Sequence, residues 1–408
     1  MLTTIIYRSH LHDHVPVKTL EDMVAKANSK NSSHDVTGIL LFDGLHFFQL
    51  LEGPRDAVQG IYNRICADAR HHNLVELMHD FAPARRFGKV GMELFDLREH
   101  DKSMVLQAVL DKGTSRYQLT YDDRALQFLR TFVIARDKEN YFEIPAASTW
   151  EFIADESPRT LQDDVIDSLK ECQFAFQPII DPFARRVASY EALIRTPNGG
   201  SPGEYFSAFG GEAVYHADVQ SKKLAFELAQ KLGIGEHSIS INLLPMSLVT
   251  VPDAVEFLLT EIEANGLVPE QVIVEVTENE IISRTDEFAA QVRKLKSAGI
   301  SLALDDFGAG FAGLSLLSKF QPDKIKIDRE LISDVHRSGP KQAILHAIIK
   351  CCNSLEIAVI AEGVEKAEEW MWLEAAGISQ FQGYLFARPQ LNGFPAIAWP
   401  EIKWRTAR

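Results

Sequence analysis

The sequence predicts an α/β protein in two parts: an N-terminal ferredoxin-like α+β domain, then an irregular TIM-type (β/α)8 barrel with one antiparallel strand. Three observations carry this. Over roughly the first hundred residues, runs with strand and helix spacing follow the order β-α-β-β-α-β-β, which packs most simply as two helices on one antiparallel or mixed sheet. From about residue 161 onward, eight strand-like runs recur, most of them followed by a helical pattern, as in a closed barrel. The first two of these, FAFQPII and RVASYEALI, are joined only by Asp181-Pro182 and a few residues. That is too short for a parallel crossover, so the pair is antiparallel.

The elements follow in order. LTTIIYRS reads as a strand and TLEDMVAKANSK as a helix with apolar positions on one face. VTGILLF and LHFFQLLEG flank Asp43-Gly44, a hairpin signal because both residue types tolerate positive φ. A second helix, PRDAVQGIYNRICADAR, precedes the strand-like LVELMHDFA and GMELFDL. Residues 101 to 135 look helical but are too few for a domain, and residues 136 to 160, with Pro145 and Pro158 among polar residues, read as a linker. The expected organisation is 1–97, a helical extension and linker over 98–160, and the barrel over 161–400. The remaining barrel strands are SISINLL, VIVEVTE, ISLALDD, KIKI, IAVIA and FQGYLF.

Composition narrows the function. A net charge of −15 over 408 residues argues against binding DNA or RNA polymers through a basic face. No apolar run reaches the ~18 residues of a membrane span, and the N-terminus lacks a leader pattern, so no membrane insertion and a cytoplasmic location are expected. The four cysteines are scattered without metal-ligand spacing, which fits a reducing compartment. His10, His12, Asp13 and His14 alternate beside Pro16 and read as a solvent-exposed loop rather than a metal set; His71 and His72 read as cations at a helix end.

The chemistry lies in the second part. Glu191, Asn242, Glu275, Asp305, Asp306, Lys326 and Glu362 each follow a strand-like stretch, and in a barrel such positions converge on one mouth. Carboxylates brought together there repel unless divalent cations separate them. Oxygen ligands without His or Cys favour Mg2+ or Mn2+. Adjacent Asp305 and Asp306 suit one bridging and one terminal ligand for two ions ~3.5 to 4 Å apart, the spacing of in-line phosphoryl chemistry. Asn242, among apolar neighbours, needs a partner for its amide, and Lys326 reads as a cation near the attacking water. The pattern predicts a metal-dependent hydrolase.

These residues carry a resemblance. EALIR at 191 to 195, INL at 241 to 243, EVTE at 275 to 278, DDFGAG at 305 to 310, KID at 326 to 328, AEGVE at 361 to 365 and QGYLF at 382 to 386 resemble, in order, the EAL-domain phosphodiesterases. The resemblance implies hydrolysis of cyclic di-GMP to linear pGpG with two divalent ions. It assigns Glu191, Asn242, Glu275 and Asp305 to the first ion and Asp305, Asp306 and Glu362 to the second. Glu191, Glu362 and Lys326 become the catalytic set, Lys326 orienting or activating the water. Glu278 would brace the DDFGAG loop, Arg195 would meet a phosphate, and Gln382 and Gln177 would contact guanine or sugar. The family also implies a homodimer, and no GGDEF-type cyclase motif accompanies the match.

In the first part the hint is polar residues inside apolar strands, Tyr7 in TIIYRS and Gln49 in HFFQLLEG, whose hydroxyl and amide need partners. Arg64 and Asp68, four apart, fit either a binding role or a surface ion pair. Tyr7, Asn31 before VTG at 36 to 38, FFQLLEG at 47 to 53, RICADARH at 64 to 71 and Met92 resemble a BLUF blue-light sensor. That resemblance implies FAD between the two helices, with Tyr7 and Gln49 as the photoactive pair. Asn31 would hold the ring, Arg64 and Asp68 would lie near its edge, and Met92 would relay the change. Val90 stands where many members have Trp. Together the two resemblances imply light-regulated hydrolysis of cyclic di-GMP; the alternative is a catalytically silent light-responsive receptor acting through a partner.

Overall fold

The computed structural model describes residues 2–12, 20–82, 85–88, 90–99, 101–111, 124–134, 141–154, 157–161, 171–277, 285–309 and 313–403. The chain falls into two compact units, Met1–Ile144 with Asp334–Ile344, and Pro145–Ser333 with Leu345–Arg408.

In the first unit, β1 (Leu2–Leu11), α1 (Leu20–Ser33), β2 (Thr37–Phe42), β3 (His46–Pro54), α2 (Arg55–Cys66), β4 (His71–Ala82) and β5 (Glu93–Asp96) follow the expected order. The sheet runs β4-β1-β3-β2-β5, antiparallel except where β5 pairs with β2. At the β2–β3 hairpin the Asp43 carboxylate accepts from the backbone N of Leu45 at 3.0 Å and of His46 at 2.7 Å, while Gly44 takes φ +110°. The strand period of two then sorts side chains onto opposite faces. Ile5, Tyr7, Phe47 and Leu51 pack with Leu20 of α1 and with Val58, Ile61 and Tyr62 of α2. Ile6, Phe48 and Leu50 pack with α3 (Lys102–Asp111) and α4 (Arg124–Ile134) through Val105, Val109, Leu126, Leu129 and Phe132. The helical extension therefore completes the core of this unit.

Two histidine expectations are overturned. His10 belongs to β1 and is only 4 % exposed, because β3 and β4 flank it with His46 and His72. His71 and His72 open β4, five residues after α2 has ended at Cys66. Asp13 and His14 lie outside the described residues. Burial, followed by neighbouring His46, His72 and Arg8, pushes the His10 imidazole down to about 3 from 6.5. In the unfolded chain His10 protonates near 6.5, and in the fold it resists, so the stability present above pH 6.5 is lost as pH falls toward 3. Melting of the first unit is expected to drop between pH 7 and pH 5, and His10→Phe should flatten that part of the profile.

The second unit opens with β6 (Trp150–Ala154) and β7 (Arg159–Thr160), so two strands stand where composition suggests a linker. Their partners lie more than two hundred residues away, beyond the reach of local pattern. The barrel strands are β8 (Gln173–Asp181), β9 (Arg186–Arg195), β10 (Ser238–Asn242), β11 (Val272–Thr277), β12 (Ser301–Phe307), β13 (Lys324–Ile327), β14 (Ala358–Ala361) and β15 (Gln380–Phe381). Strands β9 to β15 are parallel neighbours in sequence order, and β8 pairs antiparallel with both β9 and β15 to close the cylinder. Beyond it, β16 (Gln390–Leu391) pairs with β8, β17 (Gly393–Phe394) with β7 and β18 (Ala398–Ile402) with β6. The FQGYLF run ends as a strand at Phe381. Gly383 then packs so closely on the Val364 backbone that a Cβ would lie 2.1 Å from its carbonyl oxygen, which accounts for the glycine after Gln382. Among the described residues no helix is long and apolar enough to cross a membrane.

Candidate active site and ligand pocket

Inside the barrel, alternation along the strands turns the polar residues inward. Glu191 lies in the middle of β9 rather than at its end; Asn242, Glu275, Asp305 and Lys326 come from β10 to β13, and Glu362 follows β14. Lys326 is 1 % exposed and is their common partner. Its Nζ donates to Glu275 Oε2 at 2.6 Å, lies 3.3 Å from both Glu191 Oε2 and Asp305 Oδ1, and pairs with Glu362. Glu191 also accepts from Asn242 Nδ2 at 2.6 Å and from Gln382 Nε2 at 2.7 Å. Gln382 reaches Gln177 Oε1 at 3.2 Å, and Gln177 donates to the Ala387 carbonyl at 3.0 Å. Arg195 ends β9, half-buried, with Nη1 2.8 Å from the Ile194 carbonyl. Glu278 lies outside the described residues.

Neighbouring strand residues normally face opposite ways, yet Asp305 and Asp306 both reach this cluster. The register between β12 and β13 slips between Leu304 and Phe307, and Asp306 adopts φ +53°. A bulge of this kind re-aims a side chain. Two sets of carboxylate oxygens result, Glu191 with Glu275 and Asp305, and Asp305 with Asp306 and Glu362, each within 4.8 Å of one another.

The electrostatics are those of acids crowded around one cation. Burial, reinforced by Glu191 and Asp305, pushes Glu275 up to about 8 despite Lys326. Burial also raises Asp306 and, more strongly, Glu362, with neighbouring acids adding to both. Burial opposes ionisation of Glu191, but Lys326 and the Gln382 and Asn242 amides hold it below the usual range. Lys326 is raised well above 10.5: burial works against its charge, and Asp305, Glu191, Glu275 and Glu362 outweigh it.

This donor set fits divalent cations. Every donor is oxygen, as Mg2+ and Mn2+ prefer. Glu275 Oε1 is buried without a hydrogen-bond partner, and one ammonium serves four carboxylates. A cavity of about 380 Å3 opens onto Glu191, Asn242, Glu275, Thr277, Asp305 and Asp306. It is also lined by Asp218 and Lys222, a buried pair 2.7 Å apart that sequence reasoning missed. Their only signal is opposite charge four apart on a helix.

The first unit holds a cavity of about 300 Å3 that brings together Tyr7, Asn31, Gln49, Arg64, Asp68 and Met92. Tyr7 and Gln49 are direct cross-strand partners, and the Tyr7 hydroxyl donates to Gln49 Oε1. Gln49 Nε2 points to Met92 Sδ at 3.2 Å, so one amide joins the tyrosine to the methionine. Asn31 Nδ2 donates to the Gly91 carbonyl at 2.9 Å. Burial, with Cys66 and Asp68 nearby, raises the Tyr7 phenol above its ordinary pKa and keeps it protonated. Asp68 pairs with Arg70 Nε at 2.9 Å rather than with Arg64, because Arg70 folds back across the turn after α2. Arg70, for which the sequence offered no role of its own, joins the lining, as does His71, expected as a cation at a helix end. Val90, absent from that lining, is 40 % exposed.

The family model described as EAL domain matches residues 159–389, more than half of the chain, and the one described as sensors of blue-light using FAD matches residues 2–93. The chain belongs to the EAL-domain family and carries a BLUF domain. Its ferredoxin-like sheet is that BLUF domain, and the irregular barrel is the EAL domain. The "Blue light- and temperature-regulated antirepressor BluF" of Escherichia coli (strain K12) is 62 % identical over 407 residues, 99 % of this chain and 100 % of that protein. "Probable cyclic di-GMP phosphodiesterase PdeN" of the same organism is 30 % identical over 239 residues, 55 % of this chain and 45 % of that one. The manganese and cyclic di-GMP complex of Klebsiella pneumoniae BlrP1 at pH 6 superposes with TM-score 0.91 at 46 % identity, covering 99 % of this chain and 100 % of that one.

Proposed function

We propose that this BLUF–EAL protein is a blue-light-regulated phosphodiesterase that opens cyclic di-GMP to linear pGpG at two divalent ions. The observation that carries the reading is the pair of carboxylate sets sharing Asp305. Glu191, Asn242, Glu275 and Asp305 would hold one Mg2+ or Mn2+, and Asp305, Asp306 and Glu362 the other. Such ions supply Lewis acidity to the phosphodiester and make water nucleophilic at neutral pH. The protein's own part is positioning. Lys326 orients the water and offsets charge developing on the phosphoryl oxygens. Arg195 meets a phosphate, and Gln382, tied to Glu191 and Gln177, orients nucleobase or sugar. FAD in the BLUF cavity would act on the Tyr7–Gln49 pair, with Asn31, Arg64 and Asp68 around the ring. The protein is expected to work as a cytoplasmic homodimer.

The test is turnover of cyclic di-GMP by yellow, flavin-loaded protein with Mg2+ or Mn2+, in darkness and under blue light. A light-dependent rate of pGpG formation is expected. Glu191→Ala, which removes a ligand held by three hydrogen-bonding partners, should lower turnover by at least ~10³-fold. Retained turnover in that variant rejects the metal assignment. One observation favours a second reading: the 62 % identical relative is called an antirepressor. On that reading the barrel acts by binding a partner protein, and cyclic di-GMP binding without pGpG would select it.

A further inference from the structure

Three imidazoles stand in a row across the BLUF sheet. His72 on β4, His10 on β1 and His46 on β3 are direct cross-strand partners. Ring centroids are 5.4 Å apart for His10 and His72 and 4.6 Å for His10 and His46, and His12 stacks on His72 at 4.3 Å. The row lies on the face opposite the Tyr7–Gln49 cavity, because His10 and His46 are each three residues away from that pair along their strands.

Two features point to a ligand here. His10 is 96 % buried, its exposure being 4 %, yet its Nδ1 has no hydrogen-bond partner. Leaving such an atom unpaired forfeits the hydrogen bond it would make with water, so a buried ring nitrogen of this kind needs a reason. His46 is braced through Nδ1 by Asp43 Oδ2 at 3.1 Å. Carboxylate bracing of one ring nitrogen orients the ring and leaves the other nitrogen available to a metal.

We infer that His10, His46 and His72, with His12 as a fourth donor, form a binding site for a late first-row divalent ion such as Zn2+ or Cu2+. Imidazole nitrogen suits these ions, whereas Mg2+ and Mn2+ prefer the oxygens of the barrel. Metal ligation needs neutral imidazole, which burial enforces at His10. Side chains paired across strands have Cβ atoms ~4.5 to 5.5 Å apart, close enough for ring nitrogens to meet one ion. His72 stacks on His10 and on His12, and His46 meets His10 edge-on, so binding requires His72 and His12 to turn toward the centre beside His10 and His46. Both are partly exposed, which leaves them room to turn and gives the ion an entry path. Asp43 beside His46, and Glu143, whose Oε1 lies 3.9 Å from His72 Nε2, offset the nearby Arg8 charge. An ion here would tie β4, β1 and β3 together. This site stands apart from the proposed hydrolysis and does not depend on it.

The test uses full-length, flavin-loaded protein in excess Mg2+. One equivalent of Cu2+ should give an electron paramagnetic resonance spectrum with nitrogen couplings from several imidazoles, and calorimetric titration with Zn2+ should find one site. His46→Gln and His72→Gln, both at partly exposed positions, should each weaken Zn2+ binding by at least tenfold and remove nitrogen couplings while the flavin spectrum is unchanged. His10→Phe should abolish binding; if it fails to hold flavin, the other two variants decide. Equal affinity and unchanged couplings in both glutamine variants, or a spectrum with oxygen ligands only, would overturn the site.

Discussion

Lys326→Met should lower cyclic di-GMP turnover by at least ~10²- to 10³-fold and destabilise the metal-free barrel. The substitution keeps the unbranched stem and deletes the one ammonium shared by Glu191, Glu275, Asp305 and Glu362. Breaking a buried ion pair by removing one partner costs about 3 to 5 kcal/mol, because the other charge stays buried without compensation. Here four carboxylates lose a partner, and some of the cost is relieved by proton uptake. Saturating Mn2+ should then restore much of the melting temperature without restoring turnover, since an ion that binds only the fold stabilises it by mass action. Melting curves with and without Mn2+, beside steady-state rates, check this. An unchanged metal-free melting temperature would mean that the ammonium does not hold the cluster together.

The second large effect is expected from Tyr7→Phe. The ring keeps its packing 5.7 Å from Tyr62, so the BLUF fold and its cavity should persist. What disappears is the hydroxyl that donates to Gln49. With the hydroxyl in place, Gln49 accepts from Tyr7 and turns its amide nitrogen to Met92; a rotated amide would present its nitrogen to Tyr7 instead. Without the hydroxyl, rotation of the amide no longer exchanges one tyrosine hydrogen bond for another, and Met92 alone remains to orient it. The ratio of light to dark turnover should fall to one, with the dark rate within about twofold of wild type and flavin still bound. Difference spectra and paired rate measurements decide it; a surviving light response would place the switch elsewhere.

Much of this molecule was legible in its sequence because the signals were local. The short, largely apolar runs TIIYRS and HFFQLLEG marked strands that prove buried on both faces, and the short link between FAFQPII and RVASYEALI required the reversed strand seen as β8. The acids of the barrel were readable because parallel strands deliver their inward residues to one place. Other features depended on partners distant in sequence. β6 and β7 exist because β18 and β17 pair with them, and nothing within residues 150 to 160 announces that. His10 looked exposed because its alternating neighbours suggested a loop, and only the flanking strands bury it. The partner of Asp68 is another such case: helical spacing left an ion pair with Arg64 open beside a binding role, and the turn after α2 delivers Arg70 instead.

The BLUF sheet is covered on both sides, with alternate residues of β1 and β3 assigned to opposite compartments. A lineage can therefore alter one compartment while leaving the other almost untouched. Substitutions at Ile6, Phe48 or Leu50 would alter the packing of α3 and α4 with no change to the residues that line the Tyr7–Gln49 cavity. The two compartments share the same strands yet are free to diverge separately.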